Sequence, residues 1–451
     1  MAGVPSCADH AVVIGGSIAG LLAAAALAPH CAKVTLLERD RLPEGPHSRR
    51  GTPQDGHCHA LLVAGSAAIE RIHPGFDAEL AAAGADTGDA LGDVLYSLPD
   101  GWVPQSTAGL RTRAASRRLI EWTLRRRTKA IANVTVLDAM RVSGLAAKGD
   151  RVCGVRLHEG ETVVADMVVD ASGRGSRLPD WLAAAGYGRP PETTLDSGLA
   201  YASRRFVRPR QSPGWQAMLI VADTGAHPRY GAIYPEEDGR WAVALAGARG
   251  EVPPRDPDGF MEFARGLRND ALHDAVAQAE PVGPVMTWRA TANRLRHYHR
   301  MRRWPNGLFA LGDAVAALNP IYGQGMTLAA LGAVALAAEC GKGRDRGSGR
   351  RFQRRLARIN LVPWLLATSE DSRFAGRVPT SARLARFYTE RLRRRIPGDP
   401  VLALAFMRTL QLTEPMACVR PAAMLRTLRP IGCGGRRQFD MVEALARAEE
   451  D

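Results

Sequence analysis

The stretch LGDAVAALNPIYGQGMT, residues 311–327, decides the architecture. An apolar strand over 307–311 ends in Gly312 and Asp313, which sets one carboxylate at the carboxyl edge of a sheet, where open α/β folds bind ligands. Pro320 then breaks the chain. Gly323, Gln324 and Gly325 open a helix that runs through Met326 to about residue 340, and its first N–H groups can face an anionic or electron-rich ligand. A strand, an acid, a proline and two glycines in this order ask for one explanation, because a chance Asp in a helix-start turn accounts for only part of it.

That explanation begins roughly 300 residues upstream. GGSIAG, residues 15–20, follows an apolar strand over 11–14 and opens an alanine/leucine helix that reaches Leu27. Lys33 starts the next strand, which ends at Leu37, so the unit reads β-α-β and predicts a parallel sheet. This is the setting a dinucleotide fingerprint requires. Gly15 permits the tight turn, Gly16 continues it, and Gly20 lets helix and strand approach closely. Ser17 stands where the middle glycine belongs, and its small side chain leaves room for a pyrophosphate at the helix N-terminus. Glu38, at the end of the second strand, is placed to accept hydrogen bonds from ribose hydroxyls.

The rest of the chain reads as insertions into this frame. Residues 40–60 are rich in Pro, Gly and Arg and predict a loop. A helix is expected over 116–127 and a strand over 134–137. Strands 151–157 and 162–169 read as a hairpin running into DASGRGS. From about 190 to 290 alternating strands at 201–207, 218–222, 231–234 and 241–245 predict a mostly antiparallel sheet, with helix over 256–278. GKGRDRGSG, residues 341–349, reads as a flexible linker. Beyond it lies a helical region punctuated by Pro363, Pro397 and Pro415. The expected fold class is α/β: a Rossmann-like domain (1–185 and 293–340), an inserted antiparallel-sheet domain (186–292) and a helical C-terminal region (341–451).

Composition narrows the partners. The 451 residues are 46% hydrophobic and 24% charged, as in ordinary globular proteins. A net charge of +14 first suggests an anionic partner. The charge is nearly all arginine, scattered along the chain and without interleaved aromatics, which argues against nucleic acid. Seven widely spaced cysteines, with no C-x-x-C pair, fit neither a disulfide framework nor a zinc site and suit a reducing cytoplasm. His57 and His59 flank Cys58, but three ligands on one short loop lack the fourth partner of a metal site, so no metal is expected. The apolar run 11–29 has no basic segment before it and is broken by glycines, so it reads as strand and helix instead of a signal or membrane span.

Together the motifs resemble the FAD-dependent aromatic-hydroxylase superfamily, the p-hydroxybenzoate hydroxylase fold, in which an N-terminal fingerprint is paired with a later G-D. The likeness covers roughly residues 10–340. It implies that Asp313, beside Gly312, binds the ribityl chain of FAD, and that Pro320, Gly323, Gln324, Gly325 and Met326 line the flavin ring. VVDASGRGS, residues 168–176, resembles the family's D-G segment at Asp170 and Gly173. Arg49, in RRGTPQ, and Arg117, in SRRLIEW, stand where the family has cofactor-contacting arginines. Arg39 and Val142 complete the cofactor-binding set. RRGTPQDGHCHALL, GYGRPPE and YGQGMT resemble a bacterial branch of polyether alkene epoxidases.

What the resemblance implies is a monooxygenase that transfers one oxygen atom from a flavin C4a-hydroperoxide to an apolar, alkene-containing polyketide or terpenoid, free or carrier-tethered. Oxygen is the cosubstrate. NAD(P)H or a separate flavin reductase would donate electrons transiently, since no second fingerprint is present. Tyr201 and Tyr234 are candidate substrate-pocket residues, with Ala222 and Leu245 as further wall candidates. No catalytic side chain is identifiable. Ring hydroxylation of a phenol, alkene reduction and non-redox cyclisation stay open on this frame.

Overall fold

In the computed structural model the described residues are 8–211, 213–223, 227–343, 347–374 and 382–429. Five parallel strands form the central sheet in the order Leu308–Ala310, Met167–Asp170, Ala8–Ile14, Cys31–Leu37 and Val134–Leu137. Residues 11–14, 34–37 and 167–170 of the interior strands, nearly all Val, Leu, Ala, Ile or Met, are buried throughout, as expected where helices cover both faces. The fingerprint helix Ile18–Leu27 packs on Gly325–Cys340, which in turn packs on Val63–Ile72 and Ser348–Ser372. Both glycine motifs therefore open helices of one layer at the same sheet.

The hairpin expected over 151–169 is divided between two sheets. Arg151–Leu157 pairs with Thr162–Val164 on one side and Val142–Lys148 on the other. Met167–Asp170 leaves this meander and enters the parallel sheet between Ala8–Ile14 and Leu308–Ala310. Asp166 makes the transfer: its N–H donates to His10 O at 2.8 Å, and its Oδ2 accepts from the N–H groups of Asp9 and His10. The all-apolar Met167, Val168 and Val169 then fill a doubly covered position.

A seven-stranded sheet holds the expected antiparallel strands Ala200–Val207, Ala217–Ile220, Arg229–Glu236 and Arg240–Gly247, with Pro281–Trp288 on one edge. On its other side Val94–Leu98 pairs parallel with Ala217–Ile220 and carries Gly101–Trp102 beyond it. Strands from before residue 185 thus complete the inserted sheet. Alternation sorts its faces. Ala202, Phe206, Ile233, Trp241, Val243 and Leu245 point to the helices Pro257–Arg265 and Ala271–Ala277. Tyr201, Ser203, Arg205, Tyr230 and Tyr234 share the opposite face through the pairs Tyr201–Ala246, Tyr230–Ala246 and Tyr234–Ala242.

Pro363, read from sequence as punctuation, lies inside the 25-residue helix Ser348–Ser372. A proline costs such a helix one hydrogen bond. Here Phe352, Leu356, Asn360, Pro363, Ala367 and Asp371 form one buried stripe at helical spacing, and that packing carries the helix through. Of the linker expected over 341–349, residues 344–346 lie outside the described residues, and Ser348 already belongs to the helix.

Candidate active site

Three turns converge at the carboxyl edge of the parallel sheet, and their glycines show how closely. Gly15 has φ +103°, and a Cβ there would stand 2.6 Å from Ala171 O, in the DASG turn. A Cβ on Gly20 would stand 1.7 Å from Gly15 O, so helix and turn touch through backbone. In the third turn a Cβ on Gly312 would come within 2.9 Å of the Ala19 side chain, and one on Gly325 within 3.6 Å of Asp313 Oδ1. Fingerprint, D-G segment and G-D motif are therefore neighbours.

Asp313 is partly buried, and among the described residues its carboxylate has no hydrogen-bond or ion-pair partner. Burial raises its pKa, against the opposing pull of Arg174, Arg117 and Arg294. An acid kept desolvated and unpaired beside a helix start is a strong acceptor awaiting donors. Close by in sequence, Gln324 Oε1 is buried without a partner. A ligand rich in hydroxyls and ring N–H groups fits such a place, and the ribityl chain and flavin ring of FAD have both.

Around the fingerprint the acids and bases are already paired. Glu38 Oε2 accepts from Gly16 N–H at 2.6 Å, and Oε1 from Asp40 N–H at 2.9 Å. Arg49 donates through Nε to Glu121 at 3.0 Å and through Nη1 to Asp40 at 2.8 Å, with Glu38 at 3.5 Å. Arg117 donates to Glu121 at 3.0 Å and to Ser17 Oγ at 2.8 Å, while Ser17 donates to Glu121 at 2.7 Å. Burial works to lower the Arg49 pKa, but Glu121 and Glu38 leave it raised. Glu121 is also desolvated, yet Arg117 and Arg49 hold it below the usual carboxylate range. Sequence reasoning missed Glu121. Its signal was the four-residue spacing from Arg117, one turn along the helix Arg117–Lys129.

Other expected cofactor residues take different places. Asp170 is fully buried, and both its oxygens are held inside the turn by Ser172 and Ser176 at 2.5 to 3.0 Å. Gly173, in the same turn, has φ +79°. Arg174, one residue on, reaches across to Ala292 O and Leu318 O at 2.6 and 2.8 Å. The Arg39 side chain is 63% exposed, with the Asp40 carboxylate 4.0 Å away. Val142 starts a meander strand opposite Leu157. Pro320 begins the single turn Pro320–Tyr322, with Gly323 at φ +64° and Gln324, Gly325 and Met326 at the mouth of the next helix.

A second unforeseen residue holds that turn. Asp371, fully buried near the end of Ser348–Ser372, accepts from Tyr322 Oη at 2.6 Å, from Asn319 Nδ2 at 3.0 Å and from Asn293 Nδ2 at 2.5 Å. Asn293 Oδ1 in turn accepts from Asn319 N–H at 2.8 Å. Burial raises the Asp371 pKa, and these donors oppose it. The helical region thus fixes the segment 319–322.

The seven-stranded sheet turns its aromatic face to this segment. Tyr201 clusters with Leu199, Ala246, Tyr230, Trp288 and Ile321. His57, from the loop after Arg49, lies 4.6 Å from the Tyr201 ring, and its Nδ1 pairs with Ser203 Oγ at 2.9 Å. Burial and Arg205 push its pKa down to about 4. Burial and Arg117 push His59 down to about 3. Both are neutral at pH 7. Cys58 donates to Ala242 O, so the three side chains of this loop diverge. Tyr201 and Trp288 also wall a cavity of about 240 Å³. Leu245, expected as a cavity wall, is instead on the helix-covered face, because it is one residue out of phase with Ala246. Ala222 packs with Ala248, Phe374 and Tyr230.

The FAD dependent oxidoreductase family matches residues 11–193. Protein Rv3254 of Mycobacterium tuberculosis (strain ATCC 25618 / H37Rv) is 34% identical over 434 residues, covering 91% of each chain. Among solved structures, the flavin-dependent brominase Bmp2 superposes with a TM-score of 0.67 at 16% identity, over 89% of this chain and 93% of its own. PqsL from Pseudomonas aeruginosa, a probable FAD-dependent monooxygenase, gives 0.61 at 18% identity over 81% and 99%. At these identities the structural matches show a shared fold.

Proposed function

The chain belongs to the family of Rv3254, its residues 11–193 match the FAD dependent oxidoreductases, and from that premise we propose that it is a monooxygenase that places one atom of O₂ on an apolar alkene, giving an epoxide. The observation that carries this reading is the packing of Ile321 against the cluster of Leu199, Tyr201 and Ala246. Through it the aromatic face of the inserted sheet abuts the segment that leads to Gly325 and Asp313.

Bound there, FAD would pass electrons from a donor to O₂ and so activate it. In this reading Asp313 would accept from the ribityl hydroxyls, and the N-terminus of Ile18–Leu27, Arg49 and Arg117 would hold the pyrophosphate. The N–H groups of Gln324 to Met326 stabilise negative charge at the ring. Tyr201, Tyr230 and Tyr234 wall the reaction space, exclude water and orient the alkene. An alkene needs no general base, and the buried imidazoles of His57 and His59 are poor ones, since their pKa values lie well below neutrality. NAD(P)H or a partner reductase would deliver electrons in passing.

Turnover under ¹⁸O₂ with a polyene and a phenol tests this. Label in an epoxide of the polyene is the expected result. Label only in a ring-hydroxylated phenol makes the protein an aromatic hydroxylase, and turnover that persists with flavin reduction blocked makes it a non-redox cyclase.

A further inference from the structure

Residues 382–429 combine two properties that are rare together. They hold ten arginines against three carboxylates, so a segment of 48 residues carries half of the chain's +14. They also hold seven of the thirteen large apolar side chains exposed among the described residues. The helix Pro421–Leu428 shows the pattern most clearly. Ala423 and Thr427 face inward, while Pro421, Ala422, Met424, Leu425 and Leu428 face out, Leu425 with 67% of its surface exposed. This inverts the usual amphipathic arrangement of a surface helix.

The neighbouring side chains extend the patch. Met416 and Val419 are exposed in the turn that leads into the helix. Val401 is exposed two residues after Asp399, which pairs with Arg426 at 3.0 Å. Phe387, 58% exposed, stands one helical turn before Arg391, whose Nε donates to Thr427 O at 2.9 Å.

Arginines ring this apolar ground. Arg391 and Arg395 both reach Arg429 O at its C-terminal end, Arg426, paired with Asp399, flanks it, and Arg420, paired with Glu414 at 2.7 Å, precedes it. Arg391 donates here to carbonyl oxygens, and no carboxylate among the described residues pairs with it.

We propose that this face is a docking surface for an anionic lipid bilayer, with Met424, Leu425, Leu428 and Phe387 entering the acyl boundary and the surrounding arginines meeting the phosphates. Single-stranded nucleic acid is held by successive stacking aromatics, of which this face offers only Phe387 among the described residues, whereas interfacial helices pair apolar and basic faces in this way. A second copy of the chain is disfavoured by charge, since it would bring two strongly positive faces together.

Sedimentation of the full chain with vesicles tests the proposal. The expected result is binding to phosphatidylcholine vesicles containing about one-third phosphatidylglycerol, about tenfold weaker binding to phosphatidylcholine alone, and release by high salt. Leu425→Glu/Leu428→Glu changes only exposed positions and is expected to weaken binding about tenfold, with an unchanged melting temperature as the control for folding. No binding to anionic vesicles overturns the proposal, as does binding that the double variant leaves intact. A dimer in solution that the double variant dissociates, or DNA binding in place of vesicle binding, assigns the face to another partner and overturns it equally.

Discussion

Arg49 and Glu121 are 72 residues apart in sequence, yet Arg49 Nε donates to Glu121 Oε1 at 3.0 Å, and both side chains are at least 93% buried. The acid also holds Arg117 and Ser17, so one carboxylate gathers a cluster of positive charge at the fingerprint turn.

Glu121→Gln is therefore expected to destabilise the FAD-free protein by about 3 kcal/mol, the scale of breaking one partner of a buried ion pair. FAD, whose pyrophosphate supplies replacement negative charge, should raise the melting temperature more in the variant than in the wild type. Because the folded-state pKa of Glu121 is depressed, its stabilisation is complete above the unfolded value of about 4.3 and is lost as pH falls through the lower folded value. Melting curves from pH 6 downward should show the wild type losing this advantage in acid. A pH-independent gap between the two proteins contradicts the assignment.

Asp313→Asn should act in two opposite directions. The raised pKa of Asp313 marks an ionised form that the fold disfavours, so above the folded pKa the carboxylate destabilises the FAD-free chain and the amide relieves it. FAD affinity should fall about tenfold to a hundredfold with the loss of a charge-assisted acceptor. Calorimetric melting without FAD and flavin titration read the two effects separately. Unchanged affinity removes Asp313 from the cofactor site.

Asp371→Ala strips the acceptor from Tyr322, Asn319 and Asn293 at once. Leaving these buried donors unsatisfied should cost about 3 kcal/mol, read from urea midpoints at constant slope. Tyr322→Phe removes one of these donors and is expected to cost about 1 kcal/mol.

Gly20→Ala adds a single methyl group where a Cβ would meet Gly15 O at 1.7 Å. Neither backbone can yield without opening the turn, so the variant should purify without flavin and with a lowered melting temperature. A yellow, fully stable Gly20→Ala protein contradicts the observed packing.

Much of this frame was legible because it is local. The strand 11–14, the glycine turn and the alanine/leucine helix announce themselves by period and by special backbone positions, as does the sequence from Gly312 to Gly325. The sheet face was not legible: Tyr201 and Tyr234 share it through the pairs Tyr201–Ala246 and Tyr234–Ala242, a register between strands that alternation within one strand does not give, and Leu245 lies one residue out of phase on the other face. Asp371 left no local trace. Its role depends on Asn293 and Asn319, tens of residues away, and on a helix that runs through Pro363 because its buried stripe outweighs the proline. Glu121 lay between: its helical spacing from Arg117 is local, its meeting with Arg49 is not.

The order of strands in the parallel sheet constrains how the chain comes to be folded. Leu308–Ala310 pairs with Met167–Asp170, so roughly 140 residues must be synthesised after one strand before its neighbour exists. Until then Val168 and Val169 sit on an open sheet edge, and contacts of such long sequence separation form slowly. Val94–Leu98 waits in the same way for Ala217–Ile220. During translation the nascent chain thus presents two unfinished edges to its surroundings, a hazard for aggregation that chaperones commonly cover. A fragment cut near residue 185 would keep both edges open, so the half before residue 185 is expected to aggregate when expressed by itself.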